Sequence, residues 1–304
     1  MKAKSKFVIV ENHDAATLKA AKYDRTVCWI FFLRVRGEIM KTMAQADIAQ
    51  AAQILWSTWQ ANGRIEQLPV ACRPTTRAQG YQVQAEVAKL SGQAVMGWKI
   101  AATSEAGQKH IGVDGPQAAR LLAQRAFDSG AALPLAGNGM LVAEAEFSFK
   151  MGRDLSPRAT AYTQEEVLAA VASLHPSIEL PDSRYRDYAS VGEAQLIADS
   201  ACACYYVLGP ATGFNWRALD LSAHAVSATV NGVVKGQGTG AAVLGDPRIA
   251  LTWMVNEISR IGETLYAGQV VTTGTCVVPV PIRPGDQMEV DFGVLGRASA
   301  RFVD

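Results

Sequence analysis

Two glutamates stand two apart in Val142-Ala143-Glu144-Ala145-Glu146-Phe147-Ser148-Phe149, and a third, Glu179, follows in Ser177-Ile178-Glu179-Leu180. The first stretch alternates with the period of a strand, so Glu144 and Glu146 leave the same face. Carboxylates held side by side repel and lose hydration, a cost that a bound cation removes. With Glu179 they could close an all-oxygen site, for which hard divalent ions such as Mg²⁺ or Mn²⁺ are the matching occupants. The same spacing also describes an ordinary strand with a solvated polar face, and Glu-x-Glu alone does not choose between the two.

The elements that must position these groups come from a chain of 304 residues, 49% hydrophobic and 19% charged, long enough to bury a large core. A net charge of +1 gives no case for a nucleic-acid partner. No apolar stretch reaches the ~18 residues that span a bilayer. The five cysteines form neither a disulfide framework nor a zinc spacing, which suits a reducing cytoplasm. Cys202-Ala203-Cys204, in an apolar run, reads as buried thiols ahead of a soft-metal site.

Charge is uneven at one end. Residues 1–43 hold nine Lys/Arg against four Asp/Glu, net +5, leaving −4 for the rest. With Met40 and Met43 just before the first clear helix, residues 1–42 read as a basic extension outside the enzyme proper, consistent with an upstream start. If ordered, they would form an extra strand or arm against a partner subunit. A helical region over 43–96 and a catalytic domain over 97–304 complete the expected organisation.

Ile48, Ala51, Ala52, Leu55 and Trp59 recur at helical spacing from near Ala44. Thr76 with Gln79 resembles a capping box and opens a helix to about Leu90, with Tyr81, Val83, Val87 and Leu90 as its apolar positions. A strand over 94–100 carries Trp98 and Lys99. Residues 118–127 are offered as a helix, and Thr163 with Glu166 caps another over 163–174, stopped by His175-Pro176. Asn231-Gly232 marks a hairpin, and Gly236-Gln237-Gly238-Thr239-Gly240 reads as a tight bend, lacking the lysine of a phosphate loop. Asp246-Pro247 supplies a cap and first turn for a helix to about Ile261, and 270–302 is strand-rich.

Eight blocks in this order carry a resemblance: Gly97-Trp98-Lys99-Ile100-Ala101-Ala102-Thr103-Ser104, Ile111-Gly112-Val113-Asp114, Ala143-Glu144-Ala145-Glu146-Phe147, Ile178-Glu179-Leu180-Pro181-Asp182-Ser183-Arg184, Ile197-Ala198-Asp199-Ser200-Ala201, Leu244-Gly245-Asp246-Pro247, Ala267-Gly268-Gln269-Val270-Val271-Thr272-Thr273-Gly274 and Pro284-Gly285-Asp286. Together, over roughly residues 44–303, they resemble the 2-keto-4-pentenoate (2-hydroxypenta-2,4-dienoate) hydratases and 4-oxalocrotonate decarboxylases of the fumarylacetoacetate hydrolase superfamily. The resemblance implies an α+β, β-rich fold, a mixed β-sandwich or roll with a small helical N-terminal part. It also implies a site for Mg²⁺ or Mn²⁺, and a homodimer or higher homo-oligomer, with association to a pathway enzyme as a further partner.

Residue by residue, it puts Glu144, Glu146 and Glu179 on the metal-ligand positions and Lys99 on the active-site lysine. Thr103, Ser104, Thr273 and Gly274 fall on substrate contacts, and Arg184 either reaches a second substrate carboxylate or ties down a loop. Two departures are specific to this chain. Gln124 stands where relatives commonly carry a catalytic aspartate, with Asp128 four residues on as a replacement. Gly245-Asp246-Pro247 stands where glycine-histidine-proline is common.

A small 2-keto acid presents two adjacent oxygens to an ion held by three glutamates, and its enolate is stabilised there. Lys99 points away from Trp98 and Ile100 on a regular strand, so it can hold a substrate carboxylate or move a proton. The activity implied is a hydro-lyase that adds water at C4 of the 2-keto-3-enoate formed from a 2-hydroxy-2,4-dienoate. Decarboxylation, C–C hydrolysis or tautomerisation by the same site are the alternatives, with a non-catalytic partner subunit as a further one, motivated by Gln124. C–C hydrolysis needs a base for water, and His110 near Glu105 is the only early candidate, read as a turn residue.

Overall fold

A computed structural model describes residues 43–304; the basic extension and its expected arm lie outside the described residues. Six α-helices and thirteen strands alternate irregularly along this part of the chain. The helices are α1 (Gln45–Gln60), α2 (Arg77–Ser91), α3 (Glu105–Ile111), α4 (Gln164–Ala169), α5 (Glu193–Ala198) and α6 (Pro247–Arg260). The strands are β1 (Val95–Ala101), β2 (Gln117–Leu122), β3 (Ala126–Asp128), β4 (Ala131–Pro134), β5 (Val142–Met151), β6 (Val171–Leu180) and β7 (Tyr205–Leu208). They continue as β8 (Ala225–Val230), β9 (Val233–Thr239), β10 (Val270–Thr275), β11 (Val280–Pro281), β12 (Gln287–Asp291) and β13 (Arg297–Val303).

Two mixed sheets result. The larger runs β2-β1-β10-β5-β6-β7-β3, with β11 on β5, and the smaller runs β4-β13-β12-β8-β9. They pack face to face, as the sequence reading expected. Ala145, Phe147, Phe149 and Ile178 of the larger sheet meet Val226, Ala228, Met288, Val290 and Phe302 of the smaller, all buried. The Phe147 and Phe292 rings meet edge to face with centroids 4.8 Å apart. Burying each such ring stabilises the fold by about 1.5–3 kcal/mol, which locks the register of β5 and thereby which residues its other face presents.

That other face is polar. Strand alternation places Lys99 of β1, Thr272 of β10, Glu146 and Ser148 of β5, Ser177 and Glu179 of β6 and Tyr206 of β7 on it together. It is roofed by the helical region. Ile48, Ala51, Leu55, Val83 and Val87 make a second core with Leu196 and Ala198, and Gln84 Nε2 bridges Ala118 O (3.1 Å) and Ile197 O (2.7 Å).

The helix ends follow local chemistry. Thr76, Ser104 and Thr163 each accept from the backbone N–H three residues on, Thr163 and Glu166 complete a capping box, and Asp246 caps α6 with Pro247 in its first turn. Leu90, expected inward on α2, is exposed.

Three expectations are corrected. Residues 118–127 are strand, turn and strand rather than a helix: every residue of β2 is buried, which a one-sided helical stripe would not need. The helix expected over 163–174 ends at Ala169, and β6 runs through His175-Pro176. Proline is tolerated there because its carbonyl accepts from Gly209 N, so its nitrogen faces the same side, past the end of β7 where no ladder bond is required. Gly236–Gly238 lie in β9 rather than a bend, and a Cβ at Gly238 would fall 1.9 Å from Cys276 O, so the glycine there permits close backbone approach.

Candidate metal and substrate site

Register brings the three glutamates together. Glu144 pairs with Glu179 and Glu146 with Ser177 across the β5–β6 ladder. One carboxylate oxygen from each of Glu144, Glu146 and Glu179 lies within 4.8 Å of the others. Lys99 Nζ stands 2.6 Å from Glu179 Oε1 and donates to Ala201 O at 3.2 Å. Lys99 and Glu179 are 3% and 0% exposed, so this pair is sealed from bulk water.

Electrostatics follow from that burial. Desolvation pushes the carboxyls of Glu144, Glu146 and Glu179 up to about 7, with mutual repulsion adding and Lys99 opposing. Burial works against the Lys99 ammonium, but Glu179, Glu144 and Glu146 outweigh it and hold its pKa above the ordinary lysine value. Three carboxylates against one ammonium leave two negative charges, the complement of one divalent cation.

The donor set fits such an ion. All ligand atoms are hard oxygens, and Glu146 Oε1 and Glu179 Oε2 are buried with no hydrogen-bond partner. The opposite oxygen of Glu146 is fixed: Oε2 accepts from the Thr272 hydroxyl and from Gly274 N at 2.9 Å. Behind it lies a run of buried hydroxyls. Ser177 Oγ donates to Glu146 O (2.9 Å), which leaves Ser148 Oγ to donate to Ser177 Oγ (2.7 Å), and Tyr206 Oη donates to Ser148 Oγ (2.7 Å). One proton per hydroxyl makes the run directional, ending on the backbone carbonyl of Glu146. Ser148 and Ser177 were legible by alternation, each two residues from a glutamate; Thr272 and Tyr206 come from other strands and were not singled out.

Other sequence candidates are placed differently. Thr103 is buried, and a Cβ on Gly274 would fall 2.2 Å from its Oγ1, so these two residues are in contact beside Glu146. Thr273 turns its hydroxyl to Phe147 O at 3.0 Å, and Ser104 caps α3. Gln124 lies in a short 3₁₀ turn after β2, and Asp128 ends β3 at the sheet margin; both are exposed, and neither hydrogen-bonds the carboxylate cluster among the described residues. Arg184 is engaged within the fold, donating to Asp199, Asp182 O (2.8 Å) and Ala203 O (2.9 Å).

His110 is exposed on α3, 3.5 Å from the Tyr188 hydroxyl. Cys202 and Cys204 are buried free thiols that burial pushes up to about 12. Gln117, absent from the sequence candidates, shares the face of Lys99 through its register with Ala101, and neither of its buried amide atoms has a partner.

Comparison with known proteins shows the family. The fumarylacetoacetate (FAA) hydrolase C-terminal domain model matches residues 121–303. A 2-keto-4-pentenoate hydratase of Burkholderia vietnamiensis is 34% identical over 249 residues, covering 81% of this chain and 94% of that protein. A 2-hydroxyhexa-2,4-dienoate hydratase of Comamonas testosteroni is 31% identical over 229 residues, covering 74% and 85%. The 4-oxalocrotonate decarboxylase of Pseudomonas putida G7, complexed with magnesium and adipate, superposes with a TM-score of 0.78 at 27% identity over 86% of this chain and 99% of that one. The same decarboxylase complexed with calcium and acetate gives 0.76. By the domain match and the nearly full-length likeness to the hydratases, the chain belongs to the fumarylacetoacetate hydrolase family, in the group of the 2-keto-4-pentenoate hydratases.

Proposed function

We propose that this protein is a divalent-metal-dependent hydro-lyase that adds water to a 2-hydroxy-2,4-dienoate, through its 2-keto-3-enoate tautomer, giving a 4-hydroxy-2-keto acid. The observation that carries the reading is the buried Lys99–Glu179 pair beside the Glu144 and Glu146 carboxylates, with orphaned oxygens on Glu146 and Glu179, in a chain 34% identical to a hydratase of that class.

Glu144, Glu146 and Glu179 would hold Mg²⁺ or Mn²⁺, which when bound polarises a carbonyl oxygen and offsets the negative charge that develops on it. Lys99 supplies a fixed ammonium where a substrate carboxylate or a developing enolate must lie, and it can pass a proton to or from that centre. Thr103, packed on Gly274, shapes the adjoining wall. The buried sheet face excludes bulk water, which strengthens each of these interactions. Arg184, Ser104 and Thr273 serve the frame around the site, in keeping with their bonds inside the fold. Gln124 and Asp128 would act only from the rim, where both are exposed.

Decarboxylation of a 2-keto-3-enedioate is the second reading, favoured by the likeness to 4-oxalocrotonate decarboxylase. It would draw on the same lysine and carboxylates, and the curated relatives favour hydration. Purified protein with Mg²⁺ and 2-hydroxypenta-2,4-dienoate should bleach the conjugated-diene absorbance and yield the 4-hydroxy-2-keto acid. No bleaching at any metal concentration would sink the hydratase reading, and CO₂ from the enedioate would establish the other.

No helix among the described residues is long and apolar enough to cross a membrane. Cys72, Cys202, Cys204 and Cys276 are free, in keeping with a reducing cytoplasm. Assembly into a homodimer or higher homo-oligomer belongs to the same proposal: β9 is an edge strand presenting Val233 and Val234, 55% and 54% exposed. Light scattering on the eluting protein would test it, a monomer being the contrary result.

A further inference from the structure

Ser200, Ala201 and Cys202 have φ of 52°, 44° and 63°, three consecutive non-glycine residues in left-handed backbone. All three are buried. L-residues visit that region singly and at a cost, so a run of three persists only where its surroundings impose it.

The imposing group is Arg184. Its Nε bonds Asp199 Oδ1 and its Nη2 bonds Asp199 O, just before the run; its Nη1 bonds Ala203 O at 2.9 Å, just after it. Asp199 Oδ2 in turn accepts from Arg184 N (3.0 Å) and Ser183 Oγ (2.7 Å), and the guanidinium stacks on Trp59 at 4.1 Å. Arg184 and Asp199 are both almost wholly buried, so the staple is shielded from solvent. At the middle of the stapled run, the carbonyl oxygen of Ala201 accepts from Lys99 Nζ.

We infer that Arg184 and Asp199 are positioning residues, clamping the left-handed Ser200–Cys202 turn so that the Ala201 carbonyl holds the Lys99 ammonium against the carboxylate cluster. The inference rests on the proposed role of Lys99. It makes a buried arginine act on the chemistry through backbone, without touching substrate.

A double-mutant cycle between Arg184→Lys and Lys99→Met tests it, read in kcat and in Mg²⁺ affinity by calorimetry. Lysine keeps the charge, but its single nitrogen cannot reach both ends of the turn. Arg184→Lys should lower kcat at least tenfold and shift Mg²⁺ affinity at least threefold, and both effects should vanish in the Lys99→Met background. Equal effects in the two backgrounds, or none in either, would overturn the clamp.

Should Arg184→Lys fail to fold, Asp199→Asn replaces it: the amide keeps the shape of the side chain but puts a donor where Oδ2 accepts from Arg184 N and Ser183 Oγ, which loosens the clamp. kcat should fall severalfold and Mg²⁺ affinity should shift, again only when Lys99 is present. Unchanged kcat and Mg²⁺ affinity in Asp199→Asn would overturn the inference. A wild type without hydratase turnover would defeat the proposed function instead, and the Mg²⁺ arm of the cycle would still decide the clamp.

Discussion

Lys99 Nζ and Glu179 Oε1 lie 2.6 Å apart on a sheet face that excludes water, so neither charge is balanced by solvent. Each depends on the other and on whatever cation the cluster holds.

Lys99→Met should therefore do two things. Turnover should drop by about 10²–10⁴-fold, the usual worth of a positioned proton-transfer group. Metal-free protein should lose about 3–5 kcal/mol at pH 8, because removing one partner strands a buried charge, and Mg²⁺ should return part of it. Steady-state kinetics and urea unfolding with and without Mg²⁺ check both; turnover within twofold of wild type would remove Lys99 from the site.

The carboxyls set a pH dependence. Burial pushes Glu144, Glu146 and Glu179 from an ordinary 4.5 up to about 7. Between those values the folded chain keeps protons that the unfolded chain has released. Their contribution to metal-free stability is thus full below about pH 4.5 and is lost as pH rises through about 7. In excess chelator the melting temperature should fall from about pH 5 to 8. Saturating Mg²⁺ should flatten or reverse the trend, since binding requires the same protons to leave. A chelated profile that rises over this range would contradict the assignment.

The hydroxyls behind Glu146 should tune metal affinity. Thr272→Val removes the donor to Oε2, and such outer contacts are typically worth about 10–100-fold in affinity. Thr272→Ser restores the hydroxyl and should bind nearly as wild type. Tyr206→Phe, at the far end of a run that reaches the Glu146 backbone carbonyl and not its carboxylate, should cost less. Calorimetric titration with Mg²⁺ orders the three, and equal affinities for Thr272→Val and Thr272→Ser would show that the hydroxyl does not matter.

How far the site could be read beforehand depends on where its causes lie. Period-2 alternation put Glu144 and Glu146 on one face, and capping residues at Thr76, Thr163 and Asp246 opened helices where the local chemistry required. Residues 118–127 failed because alanine, leucine and arginine favour a helix, while pairing with β1 and burial on both faces outweigh that preference. The left-handed Ser200–Cys202 turn has no glycine to announce it; its cause, Arg184, is some sixteen residues away in sequence and acts through backbone. Thr272 meets Glu146, and Tyr206 meets Ser148, only through strand order, which no local pattern encodes.

Gly274 joins the strand to the site and gives the sharpest substitution. Its φ is 103°, inside the bulge where the β10–β5 register shifts, and that conformation aims its N–H at Glu146 Oε2. A Cβ there would stand 2.2 Å from Thr103 Oγ1 and 2.8 Å from Thr103 Cγ2, too close without displacing a buried side chain. Gly274→Ala thus meets left-handed strain and overpacking together, for a loss of about 2–4 kcal/mol. Thr103→Ala removes the two closest atoms but leaves its Cβ 3.0 Å away and the backbone strain in place, so the double variant should recover only part of the stability. Mg²⁺ affinity should stay low in both, because the N–H that steadies Glu146 follows the backbone. Chemical unfolding and calorimetry separate the two effects, and full recovery of metal affinity in the double variant would show that crowding by Thr103, not the aim of the Gly274 N–H, is what the substitution disturbs.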